Sequence, residues 1–167
     1  MRVYLLVLCF AITTIKSTFA QATLTNAAIS FEFVSKGVKG TISGFQSNSS
    51  IDLNNFENSL FEGSVAVKTL NTNNRLRNWH LKNGKYFDAD TYPKITFKSK
   101  SVRSTTNGYI VSGDLTLKGI TKPLEIVFTK KENLLEGNAS LYSSDFNIKI
   151  KKNRDDNLVK LNLRLQL

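Results

Sequence analysis

Along most of this chain apolar and polar residues alternate one for one. Ile29, Phe31 and Phe33 are separated by Ser30 and Glu32, and Phe61, Val65 and Val67 share one parity while Glu62, Ser64 and Lys68 share the other. That period of two belongs to strands with one face in a core and one in water. The pattern predicts a strand with a bend within Gly37 to Gly44, a short strand at Ile51 and Leu53, and a long one from Leu60 to Leu70. Ile95 to Val102 and Tyr109 to Leu117 follow, joined by a hairpin turn at Asn107-Gly108, and Lys118-Gly119 makes the next bend. Leu124, Ile126 and Phe128 mark another strand, and Leu134 to Tyr142 and Phe146 to Lys151 two more. The last is the clearest: Val159, Leu161, Leu163, Leu165 and Leu167 alternate with Lys160, Asn162, Arg164 and Gln166. A strand this apolar on one face must pair and pack, so it reads as the closing strand.

The alternation breaks once for a helix. Asn71 to Asn74 offers capping side chains, Arg75 to Lys82 is long enough for about two turns, and Gly84 can end them. Tyr92-Pro93 then forces the chain extended again. About eight closely spaced strands with short connections point to an antiparallel barrel or sandwich. A barrel of that size holds either a filled core or one small-ligand cavity, and patterning does not choose between them.

The run from Val65 to Ser99 carries a more specific signal. Thr69, Asn71-Thr72, Arg75, His80-Leu81-Lys82, Tyr86-Phe87-Asp88-Ala89, Tyr92-Pro93 and Ile95-Thr96-Phe97-Lys98-Ser99 fall in the order of an S-x-x-T-x-N-x-x-R-D-x-H-L-x-S…F-F-D-A…Y-P-x-I-T-F-x-S signature. Gly108-Tyr109 through Thr121-Lys122-Pro123 follows Y-x-V-x-G-x-L-T-L-x-G-x-T-K-P, and Ser144 to Ile148 corresponds to N-R-x-D-F-G-I. On these residues the chain resembles the YceI-like family of secreted, lipocalin-like proteins that bind polyisoprenoids and related long-chain lipids. The resemblance departs in three places. Thr25-Asn26-Ala27-Ala28 replaces an early D-x-x-H-S element, Leu76 or Asn78 stands for the acidic residue after the signature arginine, and serine and Asn147 replace the late Arg and Gly. It implies an eight-stranded, antiparallel, all-β lipocalin-like barrel with a short helical insert and an apolar tunnel. With that tunnel, the residues of inward parity become expected ligand contacts: Phe31, Phe33, Val65, Val67, Ile95, Phe97, Val111 and Leu115. Trp79, His80, Phe87 and Tyr92 lie in the insert, as a cap over one mouth or as a staple to the outside.

The N-terminus bears on compartment. Arg2, the apolar run Val3 to Ile15 and the small-x-small Ala20-Gln21-Ala22 make a secretory signal over residues 1–22, with cleavage after Ala20 or Ala22, and one domain over 23–167. Roughly 13 apolar residues fall short of the ~20 that span a bilayer. Removal takes away Cys9, the one cysteine, and leaves no disulfide, thiol nucleophile or thiolate site. A periplasmic or otherwise secreted domain without disulfides depends on its core. The formal charge is +10, or +8 without Arg2 and Lys16. The cations are scattered along strand faces with no recognition helix or stacking motif, which speaks against nucleic acid and leaves a weak attraction to anionic membrane surfaces.

Candidate chemistry is sparse. His80 is the one histidine, so clustered-His metal sites are excluded, and no G-x-S-x-G elbow accompanies it. Asp88 and Asp90 read as turn residues and Asp155-Asp156 as part of a solvated charged loop. The expectation is a non-enzymatic protein without cofactor or metal, whose partner is an isoprenoid, quinone-like or fatty-acyl chain. Two other classes remain open on the residues alone, a small integral outer-membrane barrel and a filled barrel that binds other proteins.

Overall fold

The computed structural model describes residues 21–167. Residues 1–20, which hold most of the segment read as a secretory signal and Cys9, lie outside the described residues. The architecture is antiparallel β throughout, with one short α-helix. A nine-stranded sheet comprises β2 (Asn26–Phe33), β3 (Val38–Ile42), β4 (Gln46–Ser47), β6 (Glu62–Ala66), β7 (Lys94–Thr105), β8 (Gly108–Leu117), β9 (Ile120–Lys131), β10 (Leu134–Tyr142) and β11 (Leu158–Gln166). Its order is β3-β2-β11-β10-β9-β8-β7-β6-β4, and β1 (Gln21–Ala22) pairs with β5 (Ile51–Asp52) in a separate ribbon. The strand expected to close the barrel therefore sits inside the sheet, third from the β3 edge, where β11 pairs β2 from Val159↔Phe33 to Gln166↔Asn26 and β10 along its full length.

The sheet curls into the lipocalin-like barrel, and its edge strand β3 meets the end of β6 and the segment after it at a short irregular seam. Thr41 and Asn71 exchange two backbone hydrogen bonds of 2.8 and 3.0 Å, and Ala66 N–H donates to the Ser43 carbonyl. The chain itself crosses the seam at Ser43–Phe45. Gly44 makes that crossing possible: its φ is +71°, and a side chain there would meet the Ala66 methyl. The expected eight strands become nine because the sheet includes β4, a two-residue piece at this seam.

Two further differences have local causes. The strand expected from Leu60 to Leu70 ends at Ala66 and continues as a 3₁₀ turn at Val67–Thr69. Val67 N–H still reaches the Pro93 carbonyl, but Pro93 has no N–H to extend the ladder. Thr69 Oγ1 holds the turn by donating toward the Ser43 and Ala66 carbonyls and accepting from Ser43 N–H. The segment Phe146 to Lys151 is not a strand, although Phe146 and Ile148 are buried. The buried Asn157 side chain takes the place of a neighbouring strand: its Oδ1 accepts from Ile150 and Lys151 N–H, and its amide donates to the Lys151 and Asn153 carbonyls. The β7–β8 turn falls at Thr106-Asn107, one residue before the position expected.

The helix α1 (Arg75–Lys82) forms where capping predicts it. Asn74 Oδ1 accepts from Arg77 N–H at 2.9 Å, and the helix ends at Asn83, which is extended. Register then sorts the barrel into two ends. The insert 67–94, the β2–β3 and β8–β9 turns and the 143–157 loop surround one end, with Tyr92 over Gly119 and Lys118 Nζ donating to the Gly84 carbonyl. The other end is closed by β1, β5 and the 3₁₀ turn Phe56–Asn58. There Phe56 lies on Tyr109 (4.2 Å between ring centres) and Phe61 stacks on Phe128 (5.5 Å).

Candidate functional site

Inward parity does not by itself leave room, so the shape of the interior follows from which inward positions are filled. At the aromatic end Val111, Ile51 and Leu135 have no exposed surface and Phe128 almost none. From the middle of the barrel toward the insert, space remains. A cavity of about 170 Å³ lies there, walled almost entirely by apolar side chains. Ile29, Ile95, Phe97, Leu141, Leu161 and Leu163 point inward yet keep partial exposure, because the surface they present is the cavity's own. Leu24, Phe61 and Phe128 form its floor, and Leu70 and Phe87 reach it from the insert.

Glycines hold the aromatic walls in place. Gly40 pairs directly with Phe31 and Gly137 with Phe128, and each ring lies over the bare backbone of its partner. A methyl group on Gly40 would come within 2.5 Å of the Phe31 ring, one on Gly113 within 2.7 Å of Phe97, and one on Gly63 within 3.1 Å of Phe45. Four rings of the cavity wall thus lie against glycines of other strands, where larger residues would push them toward the free space. A bulge adds one residue in β7 between Ser99 and Ser101, which shifts the inward parity from Ile95 and Phe97 to Val102.

Three of the polar wall residues spend their side chains on the protein itself. Ser49 Oγ donates to the Glu62 carbonyl and accepts from Glu62 N–H, and Ser143 Oγ donates to the Ile148 carbonyl. Glu62 touches the cavity edge with its carboxylate turned outside to Lys98 Nζ at 2.8 Å, which holds it below the usual carboxylate range. A polar ligand would find little here to replace its water.

Of the contact residues expected from the sequence, Phe31, Phe33, Val65, Ile95, Phe97 and Leu115 line the cavity. Val67 and Val111 do not: both are buried, Val67 in the 3₁₀ turn that opens the insert and Val111 in the filled aromatic end. Among the insert residues, Phe87 lines the cavity and Tyr92 covers Gly119 at the rim. Trp79 and His80 are no cap. Trp79 is 61% exposed on the outer face of α1, edge-on to His80 at 4.9 Å. The reason lies in the helix phase, which turns Leu81 inward and Leu76, Trp79 and His80 outward. Parity along β2, β9, β10 and β11 also points at Ile29, Leu124, Ile126, Leu141, Leu161 and Leu163, wall residues beyond the expected contacts. Phe45 carried no such signal, since its position depends on the seam.

A family model described as the YceI-like domain matches residues 15–167. The chain belongs to the YceI-like family. Among curated relatives, the UPF0312 protein VPA0850 of Vibrio parahaemolyticus is 36% identical over 105 residues, covering 60% of this chain and 56% of that one. The UPF0312 protein SA2479 of Staphylococcus aureus is 39% identical over 84 residues, 50% of this chain and 47% of the relative. This YceI-like chain spans about half the length of the curated relatives it matches. Solved structures share the fold at low identity. BcnA of Burkholderia cenocepacia superposes with a TM-score of 0.69 at 20% identity, over 83% of this chain and 94% of that one. The YCEI protein of Campylobacter jejuni gives 0.65 at 20% identity over 100% and 98%. A polyisoprenoid binding domain from Saccharophagus degradans gives 0.53 at 13% identity over 89% and 97%.

Proposed function

We propose that this YceI-like protein is an exported binder or carrier of long apolar chains, isoprenoid or acyl, which it takes into the barrel cavity. The observation that carries this reading is an interior that stays empty although inward-facing leucine, isoleucine and phenylalanine surround it. A filled-barrel protein-interaction module would have no use for that space, and a dry cavity favours apolar occupants. The outer surface argues against an integral outer-membrane barrel, whose strands turn apolar residues to lipid. Here the outward residues form ion pairs: Lys98 with Glu62, Lys100 with Asp114, and Glu136 between Lys131 and Arg164. Among the described residues no helix is long and apolar enough to cross a membrane. The relationship to a polyisoprenoid binding domain is consistent with the ligand class, and export rests on the signal read in the sequence.

The size of the cavity refines the proposal. Pockets for drug-sized ligands typically run from about 300 Å³ upward, while a cavity of ~150 Å³ binds benzene. About seven carbons therefore fit inside at one time, and the rest of a long chain lies outside the barrel. The test is a titration of a fluorescent acyl or prenyl probe into the purified mature protein. Saturable binding is expected in the parent and in Lys68→Asp, where the side chain is outside and paired only with Asp90 at 3.0 Å. Val65→Asp, inside the cavity wall, should remove it, because a buried unpaired carboxylate is costly. A parent without saturable binding, or equal loss in both variants, would refute the carrier reading.

A further inference from the structure

The net charge is carried by one end of the barrel. Segments 34–37, 67–94, 118–122 and 143–157 adjoin one another around the insert end. Ser35 Oγ donates to the Asp156 carbonyl, Lys122 lies close enough to Asp145 to favour its charge, and Lys118 reaches the Gly84 carbonyl. Together they hold thirteen Lys and Arg against five Asp, a balance of +8. The remaining described residues contain eight of each sign and cancel. An even scatter, as the sequence suggested, is therefore true of the strand walls alone.

The same end presents the two most exposed large apolar side chains among the described residues, Leu76 at 65% and Trp79 at 61%. They stand three residues apart on the outer face of α1, with exposed Arg75 beside them and Lys82 and Lys85 at the helix end. The opposite face fixes the helix. Leu81 is buried, Asn78 Oδ1 accepts from Thr72 N–H and Oγ, and Arg77 donates to the Thr72 carbonyl. Leucine and tryptophan ringed by cations, on a rigid helix with its polar contacts turned inward, suit the boundary between lipid headgroups and acyl chains.

We infer that the insert end is a docking face for an anionic lipid bilayer, with Leu76 and Trp79 entering the interface and the surrounding cations meeting the headgroups. Docking itself needs no ligand; its use to the protein rests on the chain-binding reading. Leu70 and Phe87 of the same insert line the cavity, so docking presents the cavity's cover to the lipid. A chain too long for the interior then has its remainder beside or within the bilayer rather than in water.

The chain's one tryptophan is Trp79, so its emission reports the contact directly. Empty vesicles of phosphatidylcholine, with and without phosphatidylglycerol, are titrated into the mature protein without apolar probe. Expected are a blue shift and co-sedimentation with the anionic vesicles only, both weakened by salt. Each Lys or Arg near such a surface is worth about a fivefold change in affinity. Lys82→Glu/Lys85→Glu should therefore lower vesicle affinity at least tenfold, and Leu76→Ser should abolish most of the blue shift. Lys130→Glu, at the far end of β9, should leave both unchanged. Equal response to neutral vesicles, loss in Lys130→Glu matching the double variant, or no blue shift would overturn the docking face. So would the same Trp79 response to heparin alone, which would assign the end to polyanions in general. Failure here with a saturable probe titration in vesicle-free solution sinks the docking and leaves the chain-binding reading standing; the converse pattern does the opposite.

Discussion

Chain length is the most exacting perturbation of this cavity, because its volume fixes where the response must change. Burial of one CH₂ contributes about 0.8 kcal/mol, a factor of roughly four in affinity. A cavity of about 170 Å³, set against the ~150 Å³ that holds benzene, takes about seven carbons. Seven such groups contribute about 5.6 kcal/mol, which corresponds to a Kd of about 0.1 mM before ordering costs. A series of n-alkyl alcohols from about four to about twelve carbons, measured by displacement of a fluorescent probe and by calorimetry, should rise about fourfold per carbon. Near seven carbons the slope should break and flatten, with the heat-capacity change flattening at the same length. An unbroken rise through twelve carbons would refute the resting cavity as the limit, and no dependence below seven would refute the cavity as the site. Adding anionic vesicles to the longer homologues should restore some slope, since the protruding carbons then leave water.

The boundary between empty and filled interior predicts opposite outcomes for similar enlargements. Leu161→Phe, facing the cavity, should change stability by less than about 1 kcal/mol while weakening probe binding, whereas Val111→Phe at the filled end should cost about 1–3 kcal/mol in urea unfolding; equal costs would contradict the placement of the cavity. The mature N-terminus should be Gln21 rather than Thr23, because Gln21 and Ala22 pair with Asp52 and Ile51 and cleavage after Ala22 would discard that ribbon; intact mass of the exported protein decides. Stability should fall on acidification. Backbone N–H groups of Asn55 and Asn54 hold Asp52 below the usual carboxylate range, as Lys131 does Glu136 and Arg154 does Asp145. Depressed folded values mean stability that is present above the unfolded pKa of about 4 and lost as pH falls below it. Thermal unfolding between pH 7 and pH 3 should show no drop until that range, and a drop beginning near pH 6 would contradict it.

How much of this was legible in the sequence depended on whether the relevant contact was local. The helix start was readable because Asn74 caps it from within the same turn. The strands β2, β8 and β11 were readable because strict alternation survives wherever a strand has partners on both sides and one face in water. Alternation misled at Phe146–Lys151, where the burial pattern of a strand is produced by a loop wrapped on Asn157, a residue far enough along the chain to leave no local trace. Asn147, which stands where the family motif has glycine, takes a left-handed backbone at φ 57°, a conformation that glycine adopts freely and asparagine tolerates better than most residues.

The cavity shows the same division more sharply. Parity identifies which residues point inward, and it did so for Phe31, Phe97 and Leu115. It is silent on volume, which here depends on glycines in adjacent strands. Gly40 falls within the bend read in the sequence, and Gly113 and Gly137 carry no signal of their own, yet a phenylalanine ring of a neighbouring strand lies against each of the three. Replacing any of them by a larger residue would have filled the space with the displaced ring, with no change to the alternation that signals a barrel. Emptiness is therefore a property of pairs across the sheet. Val111 illustrates the converse, with perfect inward parity in a place where Phe56, Phe61 and Tyr109 have already taken the room. The polarity of the molecule is likewise a matter of topology. The same cations look scattered when read along the chain and gather at one end once the sheet brings four separated segments together around α1.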